Sequence, residues 1–274
     1  MNRYDLHTHS TASDGTFSPS ALVRRARERG VEVMGLTDHD CTDGIAEAET
    51  ESAKIGLTLI PGVEISATWE QGQLIHIVGL RIDRTDPVLQ AGLLRLYELR
   101  NWRAEEMGQR FANHGILGTL EGARALAKGA IVSRVHFARF LVANGHSRDI
   151  NDAFDRFLVK GKPGFVDEEW ATLRECIDWI HSAGGQAVLA HPLRYSLPPD
   201  RLRRLVEHFR DAGGEGIEVT PGSSAEGQTS AHYACEFNLV ASIGSDFHGH
   251  ASSNLNVGLH GELPKTVRPI WETW

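Results

Sequence analysis

Histidines and carboxylates recur through this 274-residue sequence at positions that suit metal-dependent chemistry. The chain holds 14 histidines against 4 tyrosines, and histidine is the commonest metal ligand in proteins. Nine metal-competent side chains lie at or near predicted strand ends, namely His7, His9, Asp14, His39, Glu64, His76, His191, Asp246 and His248. Histidine and carboxylate ligands without cysteine favour Mn²⁺, Fe²⁺ or Zn²⁺ in a hydrolytic site over a structural zinc. Nine ligands suffice for two or three divalent ions.

Some of these residues have an ordinary structural explanation when each is taken alone. A single histidine in a strand, such as His76, is more often a core residue than a metal ligand. His7 and His9 are two positions apart in one predicted strand, so both rings point to the same face. Glu64 lies in an apolar strand, where a buried carboxylate needs a cation. The set as a whole therefore predicts a metal centre more strongly than any one member does.

Short strands alternate with helices in both outer parts of the sequence, and these strands would position the nine side chains. The predicted strands are Tyr4–His9, Val31–Thr37, Leu57–Ile65, Leu74–Leu80, Gln186–Ala190, Gly216–Thr220 and Leu239–Gly244. Helices separate most of them, which predicts an α/β fold with a largely parallel sheet. Functional residues of such folds gather at the carboxyl ends of several strands. The periodicity is compatible with a barrel and with an open doubly wound sheet.

A helical insert interrupts this alternation between residues 86 and 165. Its predicted helices are Pro87–Asn113, Leu120–Lys128, Ser133–Ala143 and Ile150–Phe157. Residues 1–85 and 166–274 would then form the α/β unit, in which a helix over Glu169–Ser182 follows the insert. We expect the insert to act as a cap that recognises substrate.

Composition excludes several classes of function. The net charge of −8 argues against binding to extended DNA, although it allows a local basic pocket for a phosphorylated ligand. The apolar fraction of 41% is ordinary for a globular protein, and no apolar stretch approaches the length of a membrane span. Three cysteines do not form a disulfide framework, which favours a cytoplasmic protein.

Five segments of the chain resemble the motifs of the PHP (polymerase and histidinol phosphatase) superfamily. These segments are 5–10 (DLHTHS), 36–40 (LTDHD), 61–66 (PGVEIS), 190–192 (AHP) and 244–248 (GSDFH). The resemblance implies a distorted (β/α)7 barrel with a trinuclear metal centre. It also implies three sets of ligands. Two of them share Glu64 as a bridge, namely His7, His9, Glu64 and Asp246, and Glu64, His76 and His191. The third set is Asp14, His39 and His248.

Part of the insert resembles one branch of that superfamily, which dephosphorylates nucleoside 3′,5′-bisphosphates and trims short RNA from its 5′ end. Residues 133–136 (SRVH) are similar to the Gly-Arg-Pro-His segment of that branch. The resemblance implies that Arg134 and His136 contact substrate. Ser133 as a helix N-cap would also place Arg134 at a helix N-terminus, which itself favours anions. Arg194, just after His191, is a further candidate for substrate binding.

The predicted function is a phosphoesterase that hydrolyses the 3′-phosphate of nucleoside 3′,5′-bisphosphates through a metal-activated hydroxide. Glu64, Asp246 and His191 would be its catalytic residues, and Mn²⁺ would be the first choice of metal. The rival interpretation is a 5′→3′ exoribonuclease acting on short 5′-phosphorylated RNA at the same site. A histidinol-phosphatase-like enzyme and a non-catalytic metal-binding module are further alternatives.

Overall fold

A seven-stranded sheet, with its strands in chain order, organises the protein in this computed structural model. The structure describes residues 3–219, 225–249, 256–258 and 261–274, with only the backbone at 225 and 226. The strands are β1 (Tyr4–Asp5), β2 (Val33–Leu36), β3 (Thr58–Trp69), β4 (Gln73–Leu80), β5 (Gln186–Leu189), β6 (Gly216–Glu218) and β7 (Val240–Ser242). The sheet curls into a half barrel, and the α/β class predicted from the sequence is confirmed. Thr220, the predicted end of the sixth strand, lies outside the described residues.

Strand β4 is antiparallel to both of its neighbours, whereas the other four pairings of the sheet are parallel. Only a 3₁₀ turn over Glu70–Gly72 separates β3 from β4. A parallel crossover needs a dozen or more residues, so this short link forces a hairpin. The prediction of a largely parallel sheet is therefore correct for four strand pairings, and it is wrong for the two pairings that β4 makes.

The strand boundaries differ from those predicted, most of all at the ends of β1 and β3, which each differ by four residues. Strand β1 ends at Asp5, so His7 and His9 lie beyond it in extended chain. Strand β3 continues to Trp69, because its second half pairs with β4 from Ser66 opposite His76 to Trp69 opposite Gln73. Glu64 therefore lies in the middle of a strand, and not near its end as predicted.

Backbone hydrogen bonds join the chain that follows β1 to the chain that follows β7. The Leu6 N–H donates to the Ile243 carbonyl at 2.9 Å, and the Asp246 N–H donates to the His7 carbonyl at 2.9 Å. The His9 N–H donates to the Phe247 carbonyl at 3.1 Å. These bonds bring the first and last motif segments of the sequence side by side.

Helices cover the sheet and form the insert. They are α1 (Pro19–Glu28), α2 (Ile45–Ile55), α3 (Pro87–Asn113), α4 (Thr119–Leu126), α5 (Arg134–Ala143), α6 (Ile150–Ala153), α7 (Leu173–Ser182), α8 (Pro199–Asp211) and α9 (Ala225–Glu236). Helix α7 begins four residues later than predicted, because Thr172 and Glu175 form a capping box there. None of the helices in the described ranges is long and apolar enough to cross a bilayer.

The long helix α3 takes part in two apolar cores. Leu89, Leu93 and Leu96 in its first half pack into the main core beneath the sheet. Met107 and Phe111 in its second half belong to a separate core formed with α5 and the turn after α6. The two halves of α3 thus belong to two different apolar cores, one at the sheet and one among the helices.

A buried ion pair fixes α3 against the sheet between these two cores. The guanidinium of Arg100 donates to the Asp40 carboxylate through Nε at 2.7 Å and through Nη2 at 2.5 Å. Its Nη2 also donates to the hydroxyl of Ser66 on β3 at 3.0 Å. Removing one partner of such a buried pair typically costs about 3–5 kcal/mol of stability. Because Asp40 follows His39, this pair ties the position of the insert to a predicted metal ligand.

Candidate metal centre

All nine side chains that the sequence singles out lie together at one end of the sheet. His7, His9 and Asp14 follow β1, and His39 follows β2. Glu64 and His76 face each other across the β3–β4 hairpin. His191 follows β5, and Asp246 and His248 follow β7.

Glu64 lies at the middle of this assembly and is completely buried. Its two carboxylate oxygens lie 2.9–3.3 Å from a ring nitrogen of each of five imidazoles, those of His7, His9, His39, His76 and His191. Oxygen Oε2 faces the first three rings, and Oε1 faces the other two. One carboxylate is therefore placed to bridge two groups of histidines that come from four different segments of the chain.

Three groups of ligand atoms each lie within 4.8 Å of one another and could each hold one metal ion. They are His7, His9, Glu64 and Asp246, then His9, Asp14, His39 and His248, then His39, Glu64 and His76. The first group has the membership that the family resemblance implies. His191 Nε2 lies 3.0 Å from Glu64 Oε1 and 3.4 Å from His76 Nδ1, so it can join the third group as that resemblance also implies.

The donor geometry suits metal ions better than it suits hydrogen bonds. Six of the nine side chains have a buried polar atom with no hydrogen-bond partner among the described residues, namely His9, Asp14, His39, Glu64, His191 and Asp246. Glu64 Oε2 has three ring nitrogens nearby, yet none of them makes a hydrogen bond of acceptable geometry with it. Adjacent ligands of one ion with bonds of about 2.1 Å lie about 3 Å apart, which matches the observed spacing.

Opposite charges dominate the electrostatics of the centre. Burial opposes a charge on His7 and His9, but nearby carboxylates outweigh it, raising the pKa of His7 well above its usual value and that of His9 to about 10. Burial would raise the pKa of Glu64, but His7 and the other nearby imidazoles hold it well below its usual range. Without metal, protons on His7 and His9 thus offset part of the carboxylate charge, and bound cations would displace those protons.

The pKa of His76 is shifted down, whereas the pKa values of His7 and His9 are shifted up. Burial is the largest cause, and the neighbouring His39 and His191 add to it, so the pKa of His76 falls to about 4 despite the attraction of Glu64. A histidine ring with this pKa is neutral at pH 7. His76 is therefore ready to coordinate a cation without first losing a proton.

A second layer of polar residues orients the predicted ligands, and sequence reasoning missed it. Glu218 accepts a hydrogen bond from His7 Nδ1 at 3.0 Å and another from the His191 backbone N–H at 2.7 Å. Asp38 accepts four hydrogen bonds from Ser10 and Ser13, which fixes the loop between His9 and Asp14. Glu218 is the last residue of β6. Functional residues gather at the carboxyl ends of strands, and the same argument that identified the ligands could therefore have identified Glu218.

The three predicted substrate-binding residues have different surroundings. Arg134 is the first residue of α5, whose N-terminus Ser133 caps. His136 is buried, and its Nδ1 accepts the Ser133 N–H at 3.0 Å, so its ring also has a structural role in this cap. Arg194 contacts the Asp246 carboxylate at the metal centre.

Comparison with known proteins agrees with this geometry. The sequence matches the PHP domain over residues 5–188. It is 45% identical to the 5′-3′ exoribonuclease of Haemophilus influenzae, over 98% of both chains. It is 43% identical to the 3′,5′-nucleoside bisphosphate phosphatase of Chromobacterium violaceum, over 99% of this chain and 96% of that one. The chain therefore belongs to the PHP family, as the sequence motifs predict.

A solved structure extends the match to three dimensions. An amidohydrolase from Chromobacterium violaceum, solved with bound sulfate and no metal, superposes with a TM-score of 0.94 at 42% identity. The match covers 99% of this chain and 95% of that chain. The insert and the α/β unit are therefore both part of a shared architecture.

Replacing Glu218 tests whether the second layer tunes the metal centre. We expect Glu218→Gln to weaken Mn²⁺ activation about 10–100-fold, because losing a carboxylate behind a metal-bound histidine typically has that effect. Glu215→Gln, at the amino end of the same strand, is the matched control and should leave the Mn²⁺ titration unchanged. Equal titrations for the two variants would contradict a positioning role for Glu218.

Proposed function

We propose that this protein is a metal-dependent phosphoesterase that removes the 3′-phosphate from nucleoside 3′,5′-bisphosphates. The observation that carries this proposal is the convergence of nine histidine and carboxylate side chains, with Glu64 at their centre. Identity of 43% over nearly the whole length of a 3′,5′-nucleoside bisphosphate phosphatase supports the choice of substrate.

Two or three divalent cations, of which Mn²⁺ is our first choice and Fe²⁺ or Zn²⁺ the alternatives, would supply Lewis acidity that makes water nucleophilic near neutral pH. Glu64, Asp246 and His191 would be among the residues that hold these cations, with Glu64 contributing to two of the ligand groups. The neutral ring of His76 would offer a lone pair at pH 7.

We propose that Arg134 binds the 5′-phosphate of the substrate. Among the described residues, no carboxylate oxygen lies within 4 Å of its guanidinium, so no salt bridge competes with a ligand there. Arg134 is also the first residue of α5, and helix N-termini favour anions. His136 would support the site by maintaining the cap, and Arg194 would bind phosphoryl oxygens beside Asp246.

A second activity, 5′→3′ cleavage of short 5′-phosphorylated RNA, is supported by the identity of 45% to an exoribonuclease. A diester whose leaving group is the next nucleotide presents the same phosphorus to the same centre. Residues 86–165 carry 12 Lys and Arg against 8 Asp and Glu, although the whole chain carries 28 against 36. This excess of positive charge favours the insert as the part that faces a nucleotide or a short RNA.

We also infer a distorted (β/α)7 barrel in which residues 1–85 and 166–274 form the hydrolase unit and residues 86–165 form its cap. The backbone bonds between Leu6 and Ile243 and between Asp246 and His7 support closure of the sheet. The separate core of the insert supports the division. Three cysteines without a disulfide fit a cytoplasmic location.

Product analysis after loading with metal tests the proposed function. Adenosine 3′,5′-bisphosphate should give inorganic phosphate and the 5′-monophosphate, and chelation of the metal should abolish this reaction. A 5′-phosphorylated RNA tetramer should release 5′-mononucleotides in order if the second activity is also present. Hydrolysis of histidinol phosphate alone would favour a different enzyme, and no release from any phosphoester would favour a non-catalytic metal-binding module.

Replacing Arg134 tests the 5′-phosphate site. Arg134→Ala should lower kcat/KM for the 3′,5′-bisphosphate about 30-fold or more, because a charge-assisted contact is lost. This change corresponds to about 2 kcal/mol of transition-state stabilisation. The nucleoside 3′-monophosphate lacks that contact, so its hydrolysis should be unaffected. Arg148→Ala is the matched control, since Arg148 lies in the same insert but is highly exposed. An unchanged kcat/KM for the bisphosphate would refute this role.

A further inference from the structure

The last residue pair between β4 and β5 departs from the usual hydrogen-bond pattern of a sheet. Ile77 lies opposite Leu189 in this antiparallel pairing, which places His76 opposite Ala190. The Ala190 N–H donates to the His76 carbonyl at 3.1 Å. Residues of such a hydrogen-bonded pair normally exchange two bonds, so the His76 N–H would be expected to donate to the Ala190 carbonyl. This second bond instead involves a side chain.

The phenol hydroxyl of Tyr195 takes the place of that second bond. It accepts the His76 N–H at 2.9 Å and donates to the Ala190 carbonyl oxygen at 2.8 Å. Tyr195 belongs to the 3₁₀ turn Pro192–Tyr195, which directly follows His191. Because a hydroxyl can both accept and donate, it satisfies the two backbone groups at once. One oxygen atom therefore bridges the two strands where they reach the metal centre.

Each of the two strands brings a predicted metal ligand to this point. His76 is itself one ligand, and the other, His191, directly follows Ala190. Ring nitrogens of the two histidines lie 3.1 and 3.0 Å from Glu64 Oε1 and 3.4 Å from each other. The Tyr195 ring also packs edge-on against the His191 ring, with 5.4 Å between the ring centres. Tyr195 therefore contacts the backbone of one ligand and the ring of the other.

The backbone conformation of His191 explains why such a contact is needed. His191 has a φ of 27° and a ψ of 56°, and Ser196, at the other end of the turn, has a φ of 52°. Residues with a β-carbon rarely adopt a positive φ, and they keep it only when surrounding contacts fix it. The Tyr195 hydroxyl provides one such contact across the turn, and the bond from the His191 N–H to Glu218 provides another. The direction of the His191 side chain thus depends on both contacts.

We propose that Tyr195 is a positioning residue, whose hydroxyl sets the separation of His76 and His191 and so tunes the affinity for the metal ion that these histidines would hold with Glu64. The hydroxyl is bound to backbone groups, so it acts through the two histidines. The ligands around the other oxygen of Glu64 should be affected much less. This inference rests on the metal centre of the proposed function.

Removal of the hydroxyl tests the proposal. Tyr195→Phe keeps the ring but loses the bridge, so the His76 N–H and the Ala190 carbonyl must pair directly or remain unsatisfied. We expect one Mn²⁺ to bind about 10–100-fold more weakly, as is typical when a group that orients metal ligands is lost. The other bound Mn²⁺ should keep its wild-type affinity. Calorimetric titration of the metal-free protein with Mn²⁺, together with metal content per chain, measures both effects independently of catalysis.

Tyr233→Phe is the matched control. Tyr233 is a buried residue of α9, and its hydroxyl donates to the carbonyl of Pro199, the first residue of α8, at 3.4 Å. This variant loses the same atom as Tyr195→Phe, yet it should keep the wild-type Mn²⁺ titration. Melting temperatures of both variants without metal separate an effect on stability from an effect on metal affinity.

The outcomes distinguish positioning of the ligands from a purely structural role. If Tyr195→Phe lowers the melting temperature but leaves the Mn²⁺ titration unchanged, or weakens all bound ions equally, the hydroxyl serves only the fold and the inference fails. Should Tyr195→Phe not fold, hydrogen exchange of the wild-type protein provides the test. Mn²⁺ should then slow exchange of the His76 amide, because the coupling between metal and hydroxyl is reciprocal, and equal exchange with and without Mn²⁺ would overturn the inference. A wild-type protein that binds no Mn²⁺ would instead refute the metal centre itself.

Discussion

The structure depends on one fully buried carboxylate that is surrounded by imidazoles. Glu64 has no exposed surface, and ring nitrogens of five histidines from four segments of the chain lie around its two oxygens. Such a charge is tolerated in a protein interior only when cations or protons compensate it. The pKa shifts of His7 and His9 show that protons do so when metal is absent. The fold therefore concentrates charge where divalent cations would bind.

The antiparallel hairpin of β3 and β4 has a direct consequence for this centre. Because Ser66 pairs with His76, the imidazole of His76 faces the same side as Glu64 and reaches its Oε1 at 3.1 Å. The extension of β3 beyond Glu64 also supplies Ser66 and Thr68, which hold the insert and the segment that follows it above the centre. The β3–β4 hairpin thus positions Glu64 and also the two side chains, Ser66 and Thr68, that contact the neighbouring segments.

The sequence predicted the metal centre better than it predicted the sheet. Strand-end positions were sufficient to bring His39, His191 and Asp246 together, since parallel strands deliver their carboxyl ends to one edge. The direction of β4 could not be read from its own residues, because the short link to β3 determines it. The pairing of Arg100 with Asp40 could not be found from the sequence, because the two residues are 60 positions apart and meet only when α3 packs against the sheet.

Metal content per chain is the most direct test of the central claim that Glu64 joins several divalent cations. After reconstitution with Mn²⁺ and removal of free ions, elemental analysis should find at least two ions per wild-type chain. Glu64→Gln should lose at least one of them, whereas Glu70→Gln, on the turn of the same hairpin, should retain the wild-type number. One ion or none in the wild type, or the same number in Glu64→Gln, would contradict the account.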